Sequence, residues 1–188
     1  MKLFRLAFFI LIILHFSCTE NNDISYREKL NDPELFQEVM QNLTNIIVYD
    51  IFSPPVASRV YLYPSIAAYE IIASHNPEKY NSLVGQVKEL DEIPKTKDTN
   101  VNIKLASIFA FNSVGKTLIF SSNKMNSFEE KFHQKLKGFG VPEKVILASR
   151  TYANKVADEI LKWSKNDMYS QTRTFPKYSI KTAMRMVL

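Results

Sequence analysis

Residue types that carry out chemistry occur in this chain, but they do not come at the spacings that the chemistry requires. Gly115-Lys116-Thr117 has the residue types that end a phosphate-binding loop. Such a loop needs a glycine five positions before Gly115, where this chain has Ala110. The segment also lies inside a predicted helix, whereas the loop joins a strand to a helix. The sequence therefore gives no phosphate-binding loop.

Metal binding and acid–base catalysis have no better support. His75 and His133, the two histidines beyond the N-terminal segment, are far apart and belong to no recognisable metal-ligand pattern. We predict His75 at a helix end and His133 in solvent. Adjacent carboxylates such as Glu129-Glu130 and Asp158-Glu159 point about 100° apart on a helix. That is typical of a solvated face, not of an acid and a base that share a substrate.

Serine and tyrosine side chains also give no site. No serine is flanked by glycines as in a nucleophile elbow. Tyr61, Tyr63 and Tyr69 could stack on a ligand, but aromatic residues at helical spacing belong to a core more often than to a site. The sequence therefore assigns no catalytic, cofactor-binding or metal-binding residue.

The first seventeen residues have the pattern of a secretory signal. Lys2 and Arg5 supply positive charge, and an uninterrupted apolar stretch follows over residues 6–14. This stretch is too short to span a bilayer comfortably, and the polar residues 19–23 come soon after it. We therefore predict a cleaved signal at residues 1–17 and an exported mature protein.

Cys18 is the only cysteine of the chain, so no intramolecular disulfide is available to it. Ser17-Cys18 has the form of a bacterial lipoprotein signal, in which the thiol carries diacylglycerol and the new amino terminus a further acyl chain. Two chains anchor stably, and the predicted partner is therefore membrane lipid, on the periplasmic side or at the outer membrane of the cell envelope. Two alternatives stay open: a signal cut elsewhere, and an uncleaved interfacial helix in which Cys18 is incidental.

The charge pattern argues against nucleic acid as a partner. The formal net charge is +5, and it falls to +3 when Lys2 and Arg5 are removed with the signal. The remaining basic residues stand among acidic ones, as Lys131 does after Glu129 and Glu130. This mixture is typical of a solvated helix surface and not of a stripe that binds nucleic acid.

Apolar residues recur at three- and four-residue steps through most of the chain, which indicates helices. The first predicted helix begins at Asp32, with Pro33 in its first turn, and the second is kinked or restarted by Pro64. The predicted helical segments are residues 32–50, 56–74, 101–118, 125–136 and 142–163. The longest pattern places one stripe of residues towards a core: Val145, Ser149, Tyr152, Val156, Ile160 and Trp163.

These segments predict an all-α helical bundle, because no strand-like alternation of convincing length and no internal repeat is visible. We predict a flexible tether at residues 18–31, one helical domain at 32–165, and an irregular tail at 166–188. Residues 76–100 contain prolines, a glycine and a run of charges, and they are expected to connect helices with at most short helical pieces. About 170 mature residues suit a single domain.

One stretch of the sequence is more distinctive than any of these patterns. Residues 48–70 read VYDIFSPPVASRVYLYPSIAAYE, and they resemble the N-terminal helical region of bacterial lipoproteins in the phosphatidic acid phosphatase type 2 and vanadium-dependent haloperoxidase superfamily. Residues 120–139 and 163–178 are similar to further segments of those proteins. Tyr49 departs from the pattern, since a histidine is expected there in relatives.

The resemblance implies an all-α fold and, in full-length relatives, phosphate-ester hydrolysis or halide oxidation. The site of that family holds phosphate or vanadate with residues of the motifs K-x6-R-P, P-S-G-H and S-R-x5-H, in which cationic donors neutralise the oxyanion and a histidine attacks phosphorus or coordinates vanadium. None of the three motifs is present. Lys165 and Arg173 are one residue too far apart for the first, and Thr174 follows in place of proline.

The histidine motifs are missing as well. Ser58-Arg59 and Ser149-Arg150 are followed by Ser65 and Val156 at the positions where histidine would have to stand. In the relatives these motifs belong to a C-terminal half, and the likeness here breaks off at residues 178–180. Residues 181–188 are interpreted as the product of a premature stop or a frameshift.

Two functions remain as hypotheses. The chain is either the N-terminal part of a membrane-anchored phosphatase-like or haloperoxidase-like protein, or a non-catalytic helical lipoprotein that binds a partner or ligand at the membrane surface. The first hypothesis predicts no activity and no cofactor in this chain by itself, with a small-molecule substrate only when the missing half is supplied.

Overall fold

The computed structural model describes residues 21–176, with side chains from residue 25. The predicted signal, Cys18 and residues 177–188 lie outside the described residues. Within residues 21–176 the chain forms seven helices and no strand, which confirms the all-α prediction. Their bounds are α1 Asn21–Leu30, α2 Glu34–Tyr49, α3 Pro54–His75, α4 Ile103–Leu118, α5 Ser122–Gly138, α6 Glu143–Asn166 and α7 Tyr169–Arg173.

Helix α2 begins where the sequence predicts. The Asp32 carboxylate accepts the backbone N–H of Glu34 at 2.9 Å, so it satisfies a donor that the first turn leaves free. The buried stripe of this helix faces α4 and α5 and consists of Leu35, Val39, Leu43, Ile46 and Ile47.

Helix α3 follows directly after Ser53, with Pro54 and Pro55 as its first two residues. Proline is tolerated there because the first N–H groups of a helix have no intrahelical acceptor. Pro64 does not restart the helix: one helix runs from Pro54 to His75 with Pro64 inside it. Pro64 removes one backbone hydrogen bond from the helix, and its ring is buried in the core with its neighbours Tyr63 and Ile66.

Helix α4 lies at the centre of the bundle between α3 and α6. Most of its residues are buried, which confirms the prediction of a helix with little polar face. Gly115 sits at a close approach, since a Cβ at this position would lie 3.3 Å from both Leu43 methyl carbons and 3.7 Å from Pro64. A small residue is therefore needed where α4 meets α2 and α3.

Helices α5 and α6 complete the bundle. Helix α5 ends at Gly138, and Gly140 then adopts φ +82°, a left-handed conformation that favours glycine after a helix. Helix α6 buries the whole predicted stripe from Val145 to Trp163. None of the helices in the described chain is long and apolar enough to span a membrane.

The structure corrects two predicted boundaries. The flexible tether at 18–31 is replaced over residues 21–30 by helix α1, because Tyr26 and Leu30 stand one turn apart and both are buried. The irregular tail at 166–188 contains helix α7, in which Tyr169 is buried. Two buried side chains anchor α1 and one anchors α7, so neither segment carries an apolar repeat that is long enough to be recognised.

Residues 76–100 contain no helix, in agreement with the predicted connection. Side chains of α3 and α6 nevertheless fix this segment to the bundle through hydrogen bonds. The buried carboxylate of Glu70 accepts hydrogen bonds from the Ser82 hydroxyl at 2.6 Å and the Leu83 N–H at 2.7 Å. Tyr152 donates to the Pro94 carbonyl at 3.0 Å, and the Trp163 indole donates to the Lys88 carbonyl at 3.1 Å.

Candidate functional site

A cluster around Arg59 joins two of the segments on which the sequence resemblance rests, residues 48–70 and 163–178. We call it the Arg59 cluster, and it consists of Arg59, Tyr63, Asp167, Tyr169 and Thr172. The Arg59 guanidinium donates to the Tyr63 hydroxyl at 2.8 Å, the Thr172 hydroxyl at 2.8 Å and the Asp167 carbonyl at 2.5 Å, and it also pairs with the Asp167 carboxylate. Every guanidinium nitrogen is thus engaged.

The elements position this cluster by local rules. Arg59 and Tyr63 are four residues apart on α3, so their side chains lie on one face. Asp167 caps the C-terminal end of α6, directly after Asn166. Met168 then begins the turn into α7, and it adopts φ 55°, which is unusual for a residue other than glycine. That turn brings Thr172 towards Arg59.

Tyr63 is fully buried inside the cluster. Its hydroxyl donates to the Asp167 carboxylate at 2.7 Å, and its ring packs edge-on against Trp163 and Tyr169 at 5.5 Å each. Burial, and then the hydrogen bond to Asp167, raises the pKa of Tyr63 far above its ordinary value. The phenol therefore stays neutral and acts as a donor, not as a base.

A second polar contact lies at the same end of the bundle. The Asp50 carboxylate accepts the backbone N–H groups of Phe120 at 2.8 Å and Ser121 at 3.1 Å, and the Ser121 hydroxyl at 2.5 Å. Burial alone would raise the pKa of Asp50, but the hydrogen bonds from Ser121 and Phe120, together with the charge of Arg173, lower it below the ordinary value. Asp50 thereby fastens the end of α2 to the turn between α4 and α5.

Arg173 lies over a pair of stacked rings beside Asp50. The Phe52 and Phe120 rings are parallel with centroids 5.0 Å apart, and the Arg173 guanidinium carbon is 4.2 Å from the Phe120 centroid and 5.4 Å from that of Phe52. Within residues 25–176, Arg173 makes no ion pair. This is a cation–π arrangement on an exposed surface, since Phe120 is 66% exposed.

The Gly115-Lys116-Thr117 segment lies within α4, as expected, and has no free phosphate donor. Lys116 pairs with Glu129 at 2.8 Å, and the other oxygen of Glu129 accepts from the Asn112 amide at 2.6 Å. Both serve to join α4 to α5. The rejection of a phosphate loop therefore agrees with the structure.

The two histidines lie apart. His75 is the last residue of α3, as predicted, with its Nδ1 2.9 Å from the Ile71 carbonyl oxygen and its ring against Tyr152. His133 differs from its predicted place in solvent: its side chain is only 25% exposed, and its Nε2 lies 3.7 Å from the Glu143 carboxylate. Across the described chain no group of three or more potential ligands could hold a metal ion.

The described residues do not fit a bound vanadate or phosphate. Such an oxyanion needs several cationic donors that converge on one point. Arg59 and Lys116 are each engaged with a carboxylate, and Arg173 lies against phenylalanine rings. His75 is at the other end of α3 from Arg59, about 24 Å away at 1.5 Å per helical residue.

Sequence reasoning missed the Arg59 cluster for a physical reason. The four-residue spacing of Arg59 and Tyr63 is visible in the sequence, but the sequence patterns favour only a place in the core for Tyr63 and give no partner for Arg59. For Tyr63 that interpretation is confirmed by its complete burial. The partner Asp167 stands 108 positions after Arg59, and no local pattern connects residues at such a separation.

The comparison with solved structures shows what this chain is similar to. A solved crystal structure described as the first bacterial vanadium-dependent iodoperoxidase is 40% identical to this chain, with a TM-score of 0.71. The match covers 79% of this chain and 35% of that chain. No family model matches the sequence. No curated protein matches it either.

This likeness supports the superfamily that the sequence resemblance indicates. Its identity of 40% extends over 79% of this chain, whose described residues have an all-α architecture. The chain spans about a third of the length of the iodoperoxidase that it matches. The likeness therefore concerns the helical scaffold shared by the two proteins.

Proposed function

We propose that this chain is the N-terminal helical scaffold of a haloperoxidase-like protein and that the oxyanion-binding residues are supplied by a further polypeptide segment. The observation that carries this proposal is the 40% identity to the bacterial iodoperoxidase over 79% of this chain. The Arg59 cluster adds to it, because it joins two of the stretches that resemble the superfamily. By itself the chain oxidises no halide and hydrolyses no phosphate ester.

The scaffold role follows from what the cationic residues do here. Arg59 holds α3 to α7, and Lys116 holds α4 to α5. Both side chains are paired with carboxylates in contacts that join helices, so their charges are already neutralised and bind an oxyanion poorly. A catalytic segment placed against this bundle would have to bring its own lysine, arginine and histidine.

A graft experiment tests the scaffold role. Residues 25–176 of this chain would replace the matching segment of the bacterial vanadium-dependent iodoperoxidase, whose remaining chain stays unchanged. We expect a soluble chimera with a cooperative unfolding transition and with vanadate-dependent iodide oxidation. A chimera that folds but does not oxidise iodide, or that does not fold while the parent enzyme does, would contradict the proposal.

We also propose that the chain is exported and anchored to membrane lipid through Cys18. The support is the charge and length pattern of residues 1–17 and the single cysteine after Ser17. Expression in a bacterial host should give a mature N-terminus at Cys18 with the mass of a lipid-modified cysteine. Cys18→Ser should abolish the added mass and move the protein to the aqueous phase in detergent partitioning. An unmodified Cys18 in the exported protein would refute the anchor.

A further inference from the structure

An apolar groove of about 600 Å³ lies between the α1–α2 junction and helices α3 and α4. None of its lining residues belongs to the Arg59 cluster, and on α3 it is lined by residues from Ser65 to Ile72. Its volume lies within the range of about 300–1,000 Å³ that is typical of small-molecule sites. The apolar and aromatic walls are formed by Leu30, Phe36, Tyr69, Ile72, Tyr80 and Ile108.

The neutral polar groups of this groove are largely satisfied by the protein itself. The Ser65 hydroxyl donates to the Tyr61 carbonyl at 2.8 Å, and the Ser107 hydroxyl donates to the Lys104 carbonyl at 2.8 Å. The Tyr69 hydroxyl donates to the Asn81 carbonyl at 2.7 Å. An occupant therefore meets mainly apolar surface, and it gains little from these hydroxyl protons.

Two charged residues line the groove. Lys104 is exposed and makes no ion pair within the described part of the chain. Asp32 has one carboxylate oxygen occupied by the Glu34 N–H. Neither residue has an oppositely charged partner in the described part of the chain, but Asp32 already accepts a backbone N–H, whereas the Lys104 ammonium makes no hydrogen bond there. An anionic group beside Lys104 therefore complements the less satisfied of the two charges.

We propose that this groove binds an amphiphilic organic anion, with an aliphatic or aromatic body against the rings and a carboxylate beside Lys104. A second copy of the chain is a poorer occupant, because a stable interface buries about 800 Å² on each partner, far more than this groove offers. The proposal goes beyond the scaffold role and does not depend on it.

The first test uses calorimetric titration of the purified chain with decanoate and, as a neutral counterpart, decanol. Lys104→Gln should weaken decanoate binding about threefold and leave decanol binding unchanged. Asp32→Asn removes a negative charge but keeps an oxygen for the Glu34 N–H, so it should tighten decanoate binding about twofold. Equal effects on decanoate and decanol, or no effect of either substitution, would overturn the anionic specificity.

The second test blocks the groove. Ser65→Phe places a ring in the groove from an exposed position of α3 and should weaken decanoate binding at least tenfold. Ser58→Phe is the matched control, since Ser58 is exposed on the same helix, bonds the Pro55 carbonyl at 2.8 Å and lies outside the groove. Equal affinities for the two variants would overturn the location. If the parent chain binds no decanoate but forms a dimer that Ser65→Phe disrupts, the occupant of the groove is a second copy and the proposal is overturned.

Discussion

Arg59 shows at the scale of single residues how one side chain can hold two distant parts of a fold. Its guanidinium binds Tyr63 on its own helix and reaches Asp167 and Thr172 at the end of the described chain. Hydrogen bonds to a charged group contribute more to stability than neutral ones. Solvent reaches Asp167, which is 44% exposed, so the ion pair itself contributes less than the part-buried hydrogen bonds to Tyr63 and Thr172.

Arg59→Met should lower the free energy of unfolding by about 2 kcal/mol, because it removes these donors and leaves the Tyr63 hydroxyl and its partners poorly paired. Urea unfolding followed by circular dichroism measures the change. Lys155→Met on the exposed face of α6 is the control and should stay within about 0.5 kcal/mol of the parent. A loss for Arg59→Met no larger than that of the control would contradict the role of the cluster.

Asp50 should make the free energy of unfolding depend on pH in the acid range. Its folded-state pKa is lowered, so its contribution is present above the unfolded pKa of about 3.9 and is lost as the pH falls through the folded value. Asp50→Asn should therefore destabilise the chain at pH 7 more than at pH 3, as measured by urea midpoints at the two values. The exposed Asp91→Asn is the control. A penalty for Asp50→Asn that is the same at both pH values would argue against the assignment.

At the scale of helices, Gly115 belongs to a segment that has the residue types of a phosphate-binding loop, but its role is in packing between helices. The sequence shows glycine, lysine and threonine in a row, and helical position alone excludes a phosphate loop there. What the sequence does not show is that Leu43 and Pro64 approach this glycine from two other helices. Packing between helices distant in sequence depends on side-chain shape and leaves no local signal.

Gly115→Val should cost about 1–3 kcal/mol of unfolding free energy, because the added methyl groups meet Leu43 where a Cβ alone would already lie at 3.3 Å. Gly138→Ala is the matched comparison. Its new Cβ meets nothing within 4 Å, and the change should raise stability by about 0.5 kcal/mol. Thermal unfolding of both variants gives opposite shifts in Tm on this account, and a stabilising Gly115→Val would show that α4 does not pack closely.

Glu70 should limit local opening of the segment at 76–100. Without its carboxylate, the Ser82 hydroxyl and the Leu83 N–H lose their acceptors, and the segment should open more often. Limited trypsin digestion should cut Glu70→Ala about tenfold faster than the parent after the lysines of this segment. Glu78→Ala is the exposed control and should behave as the parent does. Equal cleavage of Glu70→Ala and the parent would remove Glu70 from this role.

Helix positions were predictable because α2, α4, α5 and α6 each carry an apolar repeat over several turns. Helices α1 and α7 were not, since each is ordered by one or two large side chains. The Arg59 cluster and the groove were also beyond prediction. Both arise where helices far apart in sequence meet, and neither has a spacing that the sequence displays.

The whole molecule is a helical bundle with one end that exposes large apolar side chains. The exposed ones that are close in sequence to the members of the Arg173 stack, or belong to it, are Val48, Tyr49, Ile51, Phe120 and Phe175. Ile51 is 87% exposed and adopts φ 54°, a strained conformation for a β-branched residue. A surface of this kind suits burial against another polypeptide segment, which supports the proposed role as part of a larger haloperoxidase-like protein.

The absence of an oxyanion site in the described bundle is the most direct consequence of the proposed scaffold role. Arg59 and Lys116 are engaged with carboxylates, Arg173 lies against rings, and the two described histidines are apart. Equilibrium dialysis of the folded chain against orthovanadate measures this claim, with the bacterial vanadium-dependent iodoperoxidase as the positive control. We expect no stoichiometric vanadate binding and no iodide oxidation with hydrogen peroxide. One vanadate bound per chain, with iodide oxidation that depends on it, would contradict the account.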